Sequence, residues 1–268
     1  MSDTLIVEER GDVDWVTMNR PDRLNALNPE LVEALASYFE GLYRRHDRRV
    51  VVLRGAGRGF CSGLDLSAGT TANSDWAKTA PLQAGMATQR RIGDIYRAMR
   101  RCPQPIISLI QGAAAGGGFS LALASDIRIA GPKAKMNCAY IRIGLTGADM
   151  GSSYFLPRIV GMSIASELLL TGRFVHAEEA LRIGLVSHVV EEDQLKATAD
   201  GLIAHMLTTA PFSLRLTKEA LGYAVDAPSL DAAMAMEDRQ QILTSQSKDH
   251  IEAIQAFLGK REPKFEDR

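Results

Sequence analysis

The pattern of apolar and polar positions divides the chain into two parts. Leu5–Glu9 and Val13–Met18 are short β-rich runs around Gly11-Asp12, which predicts a hairpin. Asn28-Pro29-Glu30 predicts a helix start, with Asn28 as N-cap and Pro29 at the first helical position. Leu31, Ala34, Leu35, Tyr38, Phe39 and Leu42 continue that helix as one apolar stripe. Val50–Leu53 is an uninterrupted apolar run, the pattern of a strand covered on both faces. A second stripe at Ile92, Ile95, Tyr96 and Met99 leads to buried strands at Ile106–Ile110 and Ile127–Ala130. Strands alternating with helices predict an α/β fold. From Glu192 the pattern is helical almost throughout: Leu195, Ala199, Leu202 and Met206, then Leu214–Ala224, then Leu230–Leu258. The expected organisation is an α/β core over 1–191 and a helical region over 192–268. Arg44, Arg45, Arg48 and Arg49 read as solvated cations at a helix C-terminus. The polar, irregular stretch Ser67 to Gly85, with Trp76, reads as a lid.

Composition removes several classes of partner. The 268 residues carry a formal net charge of −1, so there is no electrostatic footprint for nucleic acid or an anionic membrane. The uncharged stretch Cys102 to Ser125 holds two prolines and four glycines, which suits a buried strand, a turn and a buried helix better than a membrane span. The three cysteines, Cys61, Cys102 and Cys138, form no Cys-x-x-Cys pair and read as buried free thiols of a reducing compartment. The acidic opening Met1-Ser2-Asp3-Thr4 has no signal-peptide pattern, and the cytoplasm is the expected location.

Three motifs come close to known chemistry and fail on a residue. Gly55-Ala56-Gly57-Arg58-Gly59-Phe60 has Phe60 where a dinucleotide loop needs its third glycine. Gly112 and Gly117 have Walker spacing, but Gly118 stands where lysine is required. Gly161-Met162-Ser163-Ile164-Ala165 ends in alanine where a nucleophile elbow needs glycine. The five histidines show no metal-ligand spacing, and no metal site is expected.

Two glycine turns remain. Phe60-Cys61-Ser62-Gly63-Leu64-Asp65-Leu66 follows one buried strand, and Gln111–Gly118 follows another and opens a helical run, Phe119–Ala124. Glycine permits a sharp turn and a close approach to backbone N–H groups. A helix start adds unpaired N–H groups and a favourable dipole for developing negative charge. Side by side, two such turns can aim two N–H groups at one oxygen.

With Asn19–Leu27, Gly59–Leu66, Pro105–Gly118, Arg142–Leu145, Leu170–Phe174, Ala177–Ala180, Gly184–Val186 and Phe257–Arg261 in this order, the chain resembles the crotonase, or enoyl-CoA hydratase/isomerase, superfamily. The resemblance implies a spiral of ββα units with C-terminal helices that assemble a homotrimer or a dimer of trimers. It implies an acyl-CoA thioester as ligand, with no cofactor beyond the CoA of the substrate. The thioester oxygen would accept hydrogen bonds from the N–H groups of Leu64 and Gly117. Residues matching Arg23, Ala26, Ser62, Asp65 and Leu66 would surround the CoA, with Phe257 and Lys260 added from a neighbouring subunit.

The sequence departs from the hydratases where they carry two catalytic glutamates. Those positions are Ser120 and Tyr140, and neither side chain is a base near neutral pH. One acid remains, Asp149, which resembles the aspartate that some isomerases of the family use to move a proton. Its spacing from Gly144 is one residue longer than in many members. A helix N-cap or turn role for Asp149 is the alternative. Expected activities are double-bond isomerisation or hydration of an enoyl-CoA, with a hydrolase or a non-catalytic acyl-CoA binder as alternatives.

Overall fold

A computed structural model describes residues 3–67 and 78–268. Its strands are β1 (Leu5–Arg10), β2 (Val13–Met18), β3 (Val50–Gly55), β4 (Ile106–Ile110), β5 (Ala113–Ala115), β6 (Ile127–Ala130), β7 (Lys135–Asn137), β8 (Val175–His176) and β9 (His188–Val189). The hairpin β1–β2 is antiparallel, and every later neighbour in the larger sheet, ordered β1-β2-β3-β4-β6-β9, is parallel. The remaining strands form a small sheet, β5-β7-β8.

Helices α1 (Pro29–Leu42), α2 (Pro81–Arg101) and α3 (Gly117–Ala124) connect the strands, and α4 (Ser152–Val160), α5 (Met162–Thr171) and α6 (Ala177–Arg182) follow. Then come α7 (Leu195–Leu207), α8 (Pro211–Ala224), α9 (Leu230–Ser245) and α10 (Lys248–Leu258). The Asn28 side chain accepts from the Leu31 N–H at 3.0 Å, the expected cap. The single expected helix Leu230–Leu258 is instead broken at Gln246-Ser247, where Ser247 caps α10 by accepting from the His250 N–H.

The uninterrupted apolar strands follow from burial on both faces. Val16, Met18, Val51, Leu53, Ile106 and Ile110 pack with α1, α2 and α3 on one side. Trp15, Val50, Val52, Ile107, Leu109 and Ile129 pack on the other side against Leu195, Ala199 and Ile203 of α7. Arg49 differs from its solvated reading. It donates to the carbonyls of Met206 and Leu207 at 3.2 and 3.0 Å, closing the exposed C-terminus of α7 where a cation is favoured.

Part of the expected lid is helical, since α2 begins at Pro81. Its first turns bury only Ala84, so no apolar stripe marks them in the sequence. Residues 68–77, including Trp76, lie outside the described residues. Among the described residues, no helix is long and apolar enough to cross a membrane.

Candidate active site

The parallel strands β3 and β4 end at the same edge of the sheet, and their glycine turns meet there. Leu27 bridges Leu64, donating to the Gly63 carbonyl at 2.7 Å and accepting from the Asp65 N–H at 3.0 Å. That register turns the Leu64 N–H away from Leu27, and it has no acceptor among the described residues. Cys61 pairs with Ala114, and the Ala115 N–H donates to the Cys61 carbonyl at 2.9 Å. The Gly116 N–H donates to Asn137, whereas the Gly117 N–H, first in α3, also has no acceptor among the described residues.

Glycine is required where the turns touch. Gly63 has φ +96°, and a Cβ there would lie 2.8 Å from the Ala115 carbonyl oxygen and 3.5 Å from the Gly117 nitrogen. A Cβ on Gly118 would lie 2.0 Å from the Cys61 carbonyl oxygen. Two unpaired donors therefore sit on backbones in direct contact. Such a pair suits an oxygen that gains negative charge during a reaction.

Side chains from three segments close around Gly117. A Cβ on it would lie 3.0 Å from Met150 Sδ, 3.1 Å from Leu27 Cδ1 and 3.2 Å from the Tyr96 hydroxyl. The Tyr96 hydroxyl lies 3.0 Å from both the Gly117 carbonyl oxygen and Met150 Sδ. One turn along α3, Ser120 Oγ lies 2.8 Å from the Tyr140 hydroxyl and donates to the Asp149 carbonyl at 3.5 Å. Ser120 is fully buried and Tyr140 nearly so. The two positions expected to match the hydratase glutamates thus hold a buried, mutually hydrogen-bonded hydroxyl pair.

Asp149 is half-buried beside this pair. Its Oδ1 accepts from the Met150 N–H at 2.7 Å and from Gln89 Nε2 at 2.5 Å. No hydrogen bond reaches its Oδ2 among the described residues. The N-cap of α4 is Gly151, with no side-chain cap, so the Asp149 carboxylate does not serve that helix. Met150, with φ +48°, turns the chain between them. Burial raises the Asp149 pKa above the usual carboxylate value, against the opposing hydrogen bonds from Met150 and Gln89. Burial also raises Tyr96 and Tyr140 well above neutrality and pushes the Cys61 thiol up to about 12. Of these four groups Asp149 is the carboxylate, while burial keeps the two tyrosines and the thiol protonated.

The expected CoA residues fall in two places. Arg23, Ala26, Ser62, Asp65 and Leu66 share one ledge, where the Ser62 N–H donates to the Leu24 carbonyl and Ser62 Oγ to the Arg23 carbonyl. Leu66 is 71% exposed and Ala26 buried. Phe257, 83% exposed, and Lys260 stand at the end of α10. No hydrogen bond among the described residues joins either side chain to the ledge.

Sequence reading passed over Arg20, Asn25, Tyr96, Gln89 and Met150. Asn25, buried with φ +56°, donates from Nδ2 to the carbonyls of Ala56 and Gly59, and so fixes the approach to the first turn. Arg20 donates to the Ala26 carbonyl and pairs with Asp65 at 2.8 Å. The Ser67 hydroxyl and Arg20 hold the Asp65 carboxyl down at about 2. Such a group stabilises the fold above its unfolded pKa of about 4, and that stabilisation is lost as pH falls through the folded value. Arg20→Ala is expected to cost about 1–2 kcal/mol at pH 7, read as a lower Tm. The gap from wild type should narrow between about pH 4 and pH 2 as Asp65 protonates. A gap that ignores pH would show that Asp65 is not the partner that matters.

The chain resembles known proteins over nearly its whole length. The enoyl-CoA hydratase/isomerase family model matches residues 8–268. A Mycobacterium leprae protein named probable enoyl-CoA hydratase is 39% identical over 254 residues, spanning 95% of this chain and 86% of that protein. The 1,2-epoxyphenylacetyl-CoA isomerase of Escherichia coli K12 is 38% identical over 257 residues, spanning 96% and 95%. The solved structure of an enoyl-CoA hydratase from Bacillus anthracis superposes with a TM-score of 0.91 at 30% identity, covering 99% of this chain and 100% of that one.

Proposed function

The chain belongs to the enoyl-CoA hydratase/isomerase family and is an acyl-CoA enzyme of that type, and from this premise we propose that it moves a double bond along an enoyl-CoA with Asp149 as the proton shuttle. The observation that carries this reading is the split use of the Asp149 carboxylate. Among the described residues, Oδ1 is held by two donors and Oδ2 by none, beside two N–H groups without acceptors and a hydroxyl pair that offers no base.

The reaction runs as two proton transfers. The thioester oxygen of a 3-enoyl-CoA accepts hydrogen bonds from the Leu64 and Gly117 N–H groups. Asp149 Oδ2 removes a proton from C2, and the electron pair of that C–H bond spreads over C2, C4 and the thioester oxygen. The carboxylic acid then returns the proton to C4, leaving the double bond between C2 and C3. The two N–H groups act mostly in the transition state, where the charge on oxygen is largest. The CoA of the substrate is the only carrier this reading uses. Arg23, Ala26, Ser62, Asp65 and Leu66 form the ledge for it.

The same reading assigns the exposed apolar residues of the C-terminal helices to a homotrimer or a dimer of trimers. Leu230, Ile242, Leu243, Ile251, Ile254 and Phe257 are all exposed in the single chain, which supports a covered face there. Phe257 and Lys260 would then meet a neighbour's CoA. The buried free cysteines support a reducing, cytoplasmic location.

Product analysis tests the reaction. Given 3-hexenoyl-CoA, the protein is expected to form the 2-enoyl isomer. Given crotonyl-CoA, it should form 3-hydroxybutyryl-CoA at least about a hundredfold more slowly, since Ser120 and Tyr140 supply no pair of carboxylates to activate and deliver water. Hydration as fast as isomerisation would overturn the reading.

A further inference from the structure

Gln89 lies on α2, far in sequence from both glycine turns and from Asp149. Its side-chain amide nevertheless donates to Asp149 Oδ1 at 2.5 Å. Seven residues further along the same helix, Tyr96 reaches the Gly117 carbonyl and Met150 Sδ. Positions seven apart share a helix face, separated by about 10 Å along the axis at roughly 1.5 Å per residue. A single rigid helix therefore holds both the proposed base and the start of α3, where one of the two unpaired donors sits.

The contact from Gln89 is selective between the two carboxylate oxygens. Both donors to Asp149, Gln89 and the Met150 N–H, fall on Oδ1. With Oδ1 anchored twice, the carboxylate is held in one orientation, and Oδ2 has no hydrogen-bond partner among the described residues. Met150 cannot do this alone, because its N–H belongs to the next residue in the chain and moves with the loop. Gln89 ties that loop to the helix. Because Gln89 is itself exposed, this bond adds nothing to the hydrophobic core.

We propose that Gln89 is a positioning residue, which orients the Asp149 carboxylate so that Oδ2 is presented to the acyl chain. This rests on the assignment of Asp149 as the proton shuttle. The other titratable groups facing Asp149 are Tyr96 on α2 and Tyr140, which precedes the loop, both kept neutral by burial. No cationic side chain pairs with Asp149 among the described residues. Gln89 is thus the side-chain group that favours its charged form.

Two readouts on Gln89→Leu test the proposal. The first is a carbon-13 titration of the Asp149 carboxyl in the free protein, assigned by its loss in Asp149→Asn. Removal of the donor should raise the Asp149 pKa further, read as an upward move of the carboxyl titration midpoint. The second is α-proton exchange of 3-hexenoyl-CoA and butyryl-CoA in D₂O across pH. Exchange should fall about tenfold or more at its plateau, with KM changed less than kcat and the acid limb moved upward with the pKa. Gln89→Glu should recover part of the exchange at low pH, where the two carboxyls share one proton, and lose it as pH rises. An unchanged carboxyl titration together with unchanged exchange in Gln89→Leu would overturn the proposal. If Asp149→Asn keeps full exchange, the shuttle assignment fails instead. The titration then still decides whether Gln89 governs Asp149.

Discussion

Asp149→Asn is expected to lower isomerisation of 3-hexenoyl-CoA, and exchange at its C2 and C4, by roughly 10²- to 10⁴-fold, the usual contribution of a positioned general base. Asparagine keeps the shape and can still accept from Gln89 and the Met150 N–H, but it cannot carry the proton. The wild-type rate should rise with pH and level off once Asp149 is ionised. Burial raises its pKa, so that midpoint lies above the usual value for an aspartate. The variant's residual rate should lack this limb. Stability should move the other way. A carboxylate whose ionised form is disfavoured in the folded chain costs stability at pH 7, so the variant should melt at the same temperature or higher. Exchange within threefold of wild type would remove Asp149 from the chemistry. A lower Tm would show that the side chain serves structure instead.

Gly63→Ala is expected to cost about 100- to 1,000-fold in kcat while binding of the CoA portion falls far less. Its φ of +96° strains any L residue, and the new Cβ would press within 2.8 Å of the Ala115 carbonyl oxygen. That neighbour is backbone and cannot swing aside, so the turns must separate. The Leu64 and Gly117 N–H groups then no longer converge, and loss of one such donor alone has an effect of this size. The strain should also lower stability by about 1–3 kcal/mol. Kinetics of isomerisation beside thermal melting would separate the two effects. A kcat within fivefold of wild type in a folded variant would mean that the two turns are not the oxygen site.

The features legible in the sequence are those written in local pattern. Strands β1, β2, β3, β4 and β6 and helices α1 and α2 follow from apolar runs and stripes, and Asn28-Pro29 announces α1. The glycine turns were visible because glycine at the end of a buried strand has few other reasons to be there. The short strands β5, β7, β8 and β9 were not visible, since two or three residues carry no period. Arg49 was misplaced because its acceptors lie more than 150 residues away in the chain. The ledge drew attention to Arg23, while the cation that binds Asp65 is Arg20, three positions earlier. Gln89 and Tyr96 illustrate the general limit. A stripe says which residues face inward, but not which loop arrives to meet them. Tyr96 is legible as part of an apolar stripe, but its contacts with Gly117 and Met150 are not, and Gln89, on the polar side of the count, has no signal of its own.

The hydroxyl pair of Ser120 and Tyr140 has a consequence for how this chain could change its chemistry over generations. Each oxygen finds its partner in the other, inside a volume closed to water. Replacing either residue alone with a carboxylate would leave the surviving hydroxyl able to donate to it, but would bury an ionised group with no cation beside it among the described residues, at a cost of about several kcal/mol. A carboxylate gained at this pair one position at a time would therefore arrive at a cost in stability.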